Sequence, residues 1–284
     1  MPSPSIVWFR DDLRLADHPA LRAAVDRGEP VIGLYVLDEE SEGIRPLGGA
    51  ARWWLHHSLA SLAERLAERG SRLILRRGPA DRVVRDVVDD TGAGAVFWNR
   101  RYGGPEREID AQLKAGLRDG GVEVASFAAS VLFEPWTIQT GSGKHFSVYS
   151  PFWRACLAQP APRAPLPEPR EVTGPSRYPA SDDLDDWGLL PTAPDWAQGL
   201  RDTWEPGEPA ARRRLREFLD EDLGHYDDAR DRPAAGATSM LSPRLRWGEL
   251  SPHTVWHAAV EATGASQFLS EIGWREFAWH TLYH

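Results

Sequence analysis

Five short apolar runs alternate with amphipathic stretches over the first 130 residues, and this alternation limits the possible folds more than any other feature of the chain. Residues 6–9, 31–37, 73–75, 95–98 and 122–127 have strand length and are almost continuously apolar, as strands covered on both faces are. The stretches between them have helical period and clear punctuation. Asp17 with Pro19 opens the first helix and Gly28 closes it. Leu55, Leu59, Leu62 and Leu66 mark one face of the second, before Gly70, and residues 79–90 and 105–119 supply two more, the latter with Ile109, Leu113 and Leu117 on one side. The expectation is an α/β fold: a doubly wound, parallel five-stranded sheet over residues 1–130.

From about Ser130 the alternation dissolves. Residues 159–170 hold five prolines, which cannot sit inside helix or sheet, so residues 131–207 are expected to form a proline-rich interdomain connection over the surface. Helical period returns at Glu208, where Pro209 suits a first turn, Leu215, Phe218 and Leu219 share a face, and Gly224 terminates. Ser251-Pro252 starts another helix, and Ser266 is expected to cap the last one. Residues 208–284 therefore read as an all-helical second domain, in keeping with the two domains that 284 residues allow. It reads as partial, because no terminator follows Tyr283, and Phe277, Trp279, Leu282 and Tyr283 are expected to lie uncovered.

Composition excludes some classes. No apolar run approaches a membrane span, and the Met1-Pro2-Ser3-Pro4-Ser5 start has no leader pattern, so no membrane partner is expected. A single cysteine, Cys156, rules out an internal disulfide framework and fits a reducing, cytoplasmic interior; a monomer is expected. The net charge of −9 does not decide against nucleic acid, because phosphate contacts need a local patch and not a basic chain.

Few constellations carry chemistry on residue type alone. Arg10-Asp11-Asp12-Leu13-Arg14 follows the first strand where a dinucleotide fold would have its glycines, and no phosphate loop of the Walker type is present. Arg10 and Asp12 read equally well as loop pairing and as a ligand site at the carboxyl edge of the sheet. The pairs His253/His257 and His280/His284 lack a third ligand, so no metal is expected. Gly141-Ser142-Gly143 reads as a loop tip and not a nucleophile elbow. Thr238, Ser239 and Ser242 cluster hydroxyls as a pyrophosphate site does, but on residue type alone ordinary capping of the helices around Leu245 is the favoured reading. Glu271, Trp274 and Arg275 stand at i, i+3 and i+4 and share a helix face.

Four segments, taken together, resemble one family. Residues 6–18 look like the opening strand and loop of the cryptochrome/photolyase family of light-driven flavoproteins. Residues 224–233 resemble the start of its flavin domain, residues 238–252 its pyrophosphate loop and following helix, and residues 268–280 its substrate-facing helix. The resemblance implies FAD as cofactor, with Tyr226, Thr238, Ser239, Met240, Leu241, Ser242, Phe268 and Arg275 toward it. It implies UV-damaged DNA as partner, with Arg230 on a phosphate and Glu271, Trp274 and Arg275 facing a flipped pyrimidine dimer. Glu271 and Trp274 are then the catalytic candidates, and the reaction is photolyase-type repair: an electron from excited reduced FAD splits the cyclobutane ring and returns.

The resemblance also implies an antenna chromophore near Glu106. Pro105 stands where folate-binding members often have asparagine, which favours a deazaflavin or flavin over methenyltetrahydrofolate. Met240 stands where many members have arginine, and Gly273 replaces a larger apolar residue at a cost of roughly 1 kcal/mol against alanine. The chain is expected to stop within the flavin domain and to be inactive alone. The alternatives are a cryptochrome-type light sensor and an isolated α/β nucleotide-binding module.

Overall fold

The computed structural model describes residues 3–284; Met1 and Pro2, part of the stretch read as lacking a leader, lie outside them. The strands are β1 (Ser5–Phe9), β2 (Val31–Leu37), β3 (Leu73–Arg77), β4 (Ala95–Asn99) and β5 (Glu123–Phe127). All pair in parallel in the order β3-β2-β1-β4-β5. Ile6 is level with Ile32 on one side and Val96 on the other, so β1 lies at the centre, where the strand order reverses. The connections are α1 (Pro19–Asp26), α2 (Gly49–Glu68), α3 (Ala80–Thr91) and α4 (Gly104–Asp119). Two apolar layers sandwich the sheet. Val7, Phe9 and Tyr35 face Leu55, Leu59, Leu62 and Leu66 of α2, whereas Ile6, Trp8 and Val96 face Val84 and Val87 of α3 and Leu113 and Leu117 of α4. The doubly wound expectation is met strand by strand.

One helix start differs from the sequence reading. His18, not Asp17, caps α1: its imidazole accepts the Leu21 amide at 3.0 Å. Asp17 is buried instead, with φ 48°, and its carboxylate takes the Leu166 amide at 2.9 Å and Arg163 at 2.5 Å. It ties the proline-rich segment to the sheet.

Residues 131–207 are irregular but not featureless. A helix, α5 (Tyr149–Leu157), interrupts them, and the sequence reading missed it. Val31 donates to Thr173 O at 2.8 Å, Val172 to Arg69 O at 2.8 Å and Asp182 to Leu75 O at 2.8 Å, so the segment runs along the sheet layer. Val172, Trp187 and Leu189 are buried against it. Beyond α6 (Gln198–Thr203), the helical part comprises α7 (Glu208–Glu217), α8 (Tyr226–Ala229), α9 (Ser242–Arg246), α10 (Pro252–Ala259) and α11 (Ala265–Tyr283). Its core joins Leu215, Phe218, Leu223, Leu241, Trp256, Phe268 and Ile272. Ser251 caps α10 by accepting the Thr254 amide at 2.9 Å. Ser266 does not cap α11, which begins at Ala265 after the left-handed Gly264 (φ 83°) without a side-chain cap. Among the described residues no helix is long and apolar enough to cross a membrane.

The last helix is better covered than its sequence predicts. Phe277 packs on Phe152 (5.3 Å between ring centres), Trp279 on Tyr102 (5.9 Å) and Tyr283 on Trp136 (5.4 Å), so of the four residues expected bare only Leu282 is strongly exposed. Gly273 also has a reason. A Cβ there would stand 2.7 Å from the Trp153 ring and 2.8 Å from the Tyr149 hydroxyl, so its absence lets α5 approach α11.

Candidate functional site

Two regions gather functional side chains. The first lies beyond the carboxyl ends of β1, β2 and β4, where an open parallel sheet places its crevice. A cavity of about 520 Å3 opens there, lined among others by Trp8, Arg10, Tyr35, Asp38, Glu106 and Arg246. Arg10 and Asp12 divide the two roles left open by the sequence. Asp12 is structural: it accepts the Arg10 amide at 2.6 Å and Asn99 at 2.8 Å and lies 3.0 Å from His18, and despite its burial His18, the Arg10 amide and Arg14 hold its carboxyl well below the usual range. Arg10 pairs with Asp110 at 2.5 Å, stacks 4.2 Å over Trp8 and lines the cavity. Burial pushes the Tyr35 phenol up, with Asp11 adding to the rise, so it stays a neutral donor. Glu106 is in the first turn of α4 and reaches the same cavity, beside Pro105, which offers no amide N–H.

The second region is built on α11 and the loop before α9. Arg214 holds that loop: its Nε donates to Ser239 O and its Nη2 to Thr238 O, both at 3.1 Å, while Asp222 anchors the guanidinium at 2.6 Å. No side chain caps α9, so capping of that helix does not explain the hydroxyls. Thr238 and Ser242 are exposed and Ser239 half-buried. Met240 is exposed and adopts φ 57°, a conformation rare for a side chain of its size, in the middle of the cluster. These hydroxyls suit the phosphates of a nucleotide; Met240 brings no charge to them.

The other flavin positions divide. Leu241 is 1% exposed and Phe268 2%, with Phe268 packed between Phe218 (4.7 Å) and Tyr226 (5.7 Å). Leu241, expected toward the phosphates and ribityl chain of FAD, and Phe268, expected to line the flavin, are both buried in the core of the helical part. Tyr226 is also buried, and burial pushes its phenol up, with Glu271 adding to the shift.

On α11 the structure brings Glu271 and Arg230 together. They form a hydrogen-bonded ion pair, and Gln267 donates to Glu271 at 3.1 Å. Trp274 is 47% exposed and lies flat on Tyr149, 3.8 Å between ring centres and 12° between planes. Arg275 does not join them. Its guanidinium turns to Ser130 O at 2.7 Å and to Glu276 at 3.4 Å, so the shared face holds for the helix backbone but not for the three head groups. Sequence reasoning missed Tyr149, Arg214 and Glu276. Tyr149 lies in a stretch without helical period, Arg214 holds the carbonyls of Thr238 and Ser239, and Glu276 accepts the distant amides of Leu132 and Phe133.

Comparison with known proteins agrees with this geometry. The DNA photolyase family model matches residues 5–170. A deoxyribodipyrimidine photo-lyase of Agrobacterium fabrum is 49% identical over 99% of this chain and 60% of its own length. Cryptochrome-1 of Arabidopsis thaliana is 37% identical over 96% of this chain and 42% of its own. A solved bacterial class III photolyase from Agrobacterium tumefaciens superposes with a TM-score of 0.95 at 48% identity, covering all of this chain and 60% of that one. The chain thus spans about 60% of the length of these photolyases. On a family model that covers more than half of its residues, the chain belongs to the DNA photolyase family.

Proposed function

We propose that this chain forms the antenna domain (residues 1–130), the connection (131–207) and the first part of the flavin domain (208–284) of a deoxyribodipyrimidine photo-lyase, which uses light to split cyclobutane pyrimidine dimers in DNA. The observation that carries the reading is the pairing on α11 of a carboxylate and a half-exposed indole one turn apart, each held from behind. A carboxylate suits the base edge of an extruded dimer, and an indole face suits its apolar surface. The Arg230–Glu271 pair is half-exposed and contributes no more than about 1 kcal/mol, so a DNA phosphate can take Arg230 and release Glu271 for the lesion.

FAD would sit against Thr238, Ser239 and Ser242, with Leu241 and Phe268 behind. Bound and reduced, it supplies the electron that light transfers to the dimer. The chain's own contribution is to bind and orient that cofactor, to stack and hydrogen-bond the lesion, and to exclude water. The sheet-edge cavity would hold the antenna chromophore, a deazaflavin or flavin before methenyltetrahydrofolate, since Pro105 lacks the donor a pterin would use. A cytoplasmic monomer fits the one cysteine, Cys156, which is buried with its thiol pushed up to about 12 by burial.

The second reading, a cryptochrome-type sensor, draws on the 37% identity to Cryptochrome-1. Glu271→Ala and Trp274→Ala in the protein that carries this chain separate the two. Each is expected to lower discrimination between dimer-containing and undamaged oligonucleotides by about 1–3 kcal/mol with flavin content unchanged. Unchanged discrimination in both variants would favour the sensor.

A further inference from the structure

A second hollow, of about 260 Å3, lies between α4, β5 and the end of α11 and shares only Arg101 with the sheet-edge cavity. Its walls are aromatic: Trp98, Trp136 and Tyr283. A cation faces each ring, with Lys114 Nζ 5.7 Å from Trp98, Arg100 5.8 Å from Trp136 and Arg107 3.8 Å from Tyr283.

The nearby acids do not balance these cations. Asp110 is shared by Arg10 at 2.5 Å and Arg101 at 4.0 Å, and Glu134 is taken by Arg100 at 2.5 Å. Arg107 and Lys114 have neutral partners instead, the Tyr283 carbonyl at 3.0 Å and the Ser126 hydroxyl at 2.7 Å. Arg100 approaches the same hydroxyl at 3.4 Å, so two cations converge on one oxygen. Burial, with Arg118 and Arg100 nearby, lowers the Lys114 ammonium, whose charge is thus held against its surroundings. The Trp98 indole N–H and Arg101 Nε, both buried, have no hydrogen-bond partner among the described residues. An excess of positive charge this local, in a chain of net charge −9, stands out as an anion site.

Size and shape narrow the ligand. The hollow is too small for a dinucleotide, and its flat walls favour a single ring system with charge at one end. We propose that it binds a small anion of the nucleoside monophosphate class, with the planar base against the exposed Trp136 and the phosphate at Lys114 and Arg107.

The test is calorimetric titration of the whole chain with AMP and, separately, inorganic phosphate at low salt. AMP is expected to bind at least about tenfold more tightly than phosphate, because the aromatic walls add stacking. Lys114→Glu should weaken AMP by about tenfold or more, Trp136→Ala by at least about threefold, and Arg45→Ala not at all, since Arg45 lines the sheet-edge cavity and not this hollow. Lys114 and Trp136 are both solvent-accessible, and circular dichroism confirms the fold of each variant. Absence of saturable AMP binding, equal affinity for phosphate, indifference to Lys114→Glu, or loss with Arg45→Ala would each overturn the proposal.

Discussion

Tyr149 and Trp274 stack face to face, 3.8 Å between ring centres and 12° from parallel, although 125 residues separate them in the chain (274 minus 149). The Tyr149 hydroxyl lies 2.7 Å from Ser270 O and 2.8 Å from Ser270 Oγ, one turn before Trp274 on α11. Ring and hydroxyl together fix α5 against α11 and hold the indole plane. One face of the indole is covered by the phenol while the residue as a whole stays 47% exposed, which is the arrangement a stacking platform for an unstacked base needs.

Tyr149 is therefore expected to act as a positioning residue under the photolyase reading. Tyr149→Phe keeps the stack and loses the Ser270 contacts, whereas Tyr149→Leu loses both. The leucine variant should bind dimer-containing DNA about 0.5–1.5 kcal/mol more weakly, with red-shifted tryptophan emission, and the phenylalanine variant should stay close to the parent. If the leucine variant keeps both affinity and emission, the stack does not position Trp274.

Gly273 gives a prediction opposite in sign to helix propensity. In an exposed helix Gly→Ala stabilises by roughly 1 kcal/mol. Here the new methyl would meet the Trp153 ring at 2.7 Å and the Tyr149 hydroxyl at 2.8 Å, and both belong to a packed aromatic group that cannot withdraw freely. Overpacking of this kind costs about 1–3 kcal/mol, enough to cancel and exceed the propensity gain. Urea denaturation of Gly273→Ala should show lower stability than the parent, and a gain would mean that α5 yields.

How legible the molecule was follows from where the information lies. The sheet was readable because the central strands are nearly continuous apolar runs, Val31–Leu37 above all, and because Leu55, Leu59, Leu62 and Leu66 repeat at helical spacing. α5 was not readable, since Tyr149–Leu157 is short, holds a proline and lies between irregular segments. Gly273 looked like a defect from sequence because its compensation, Trp153, comes from that unread helix. Of the candidate site, the i, i+3, i+4 pattern placed Glu271, Trp274 and Arg275 on one face, but side-chain direction depends on partners. Ser130 drew Arg275 away, while Arg230 took Glu271 from 41 residues upstream. Phe268 went into the core because Phe218 and Tyr226 flank it, a three-body contact that no local pattern encodes.

Glu276 supplies the last prediction. It is buried on α11, and its carboxylate accepts the amides of Leu132 at 2.7 Å and Phe133 at 3.2 Å, joining the helical part to the chain leaving the sheet domain. Burial raises its pKa from 4.5 to about 7; Arg275 and the two amides pull it down, and Glu134 adds to the rise. Between those two values the folded protein holds a proton that the unfolded chain has already lost. The stabilisation is therefore complete below about pH 4.5, declines as pH rises toward 7, and is gone above it, a loss of up to about 3 kcal/mol. His253, buried and pushed down to about 4, works in the opposite direction over pH 4 to 6.5, so the difference between parent and variant is what isolates Glu276. Glu276→Gln keeps an acceptor for the two amides and removes the titration. Its stability relative to the parent should rise between pH 5 and about pH 7 and level off above that in urea denaturation, and a difference that stays flat from pH 5 to pH 8 would show that Glu276 keeps an ordinary carboxylate pKa in the folded protein.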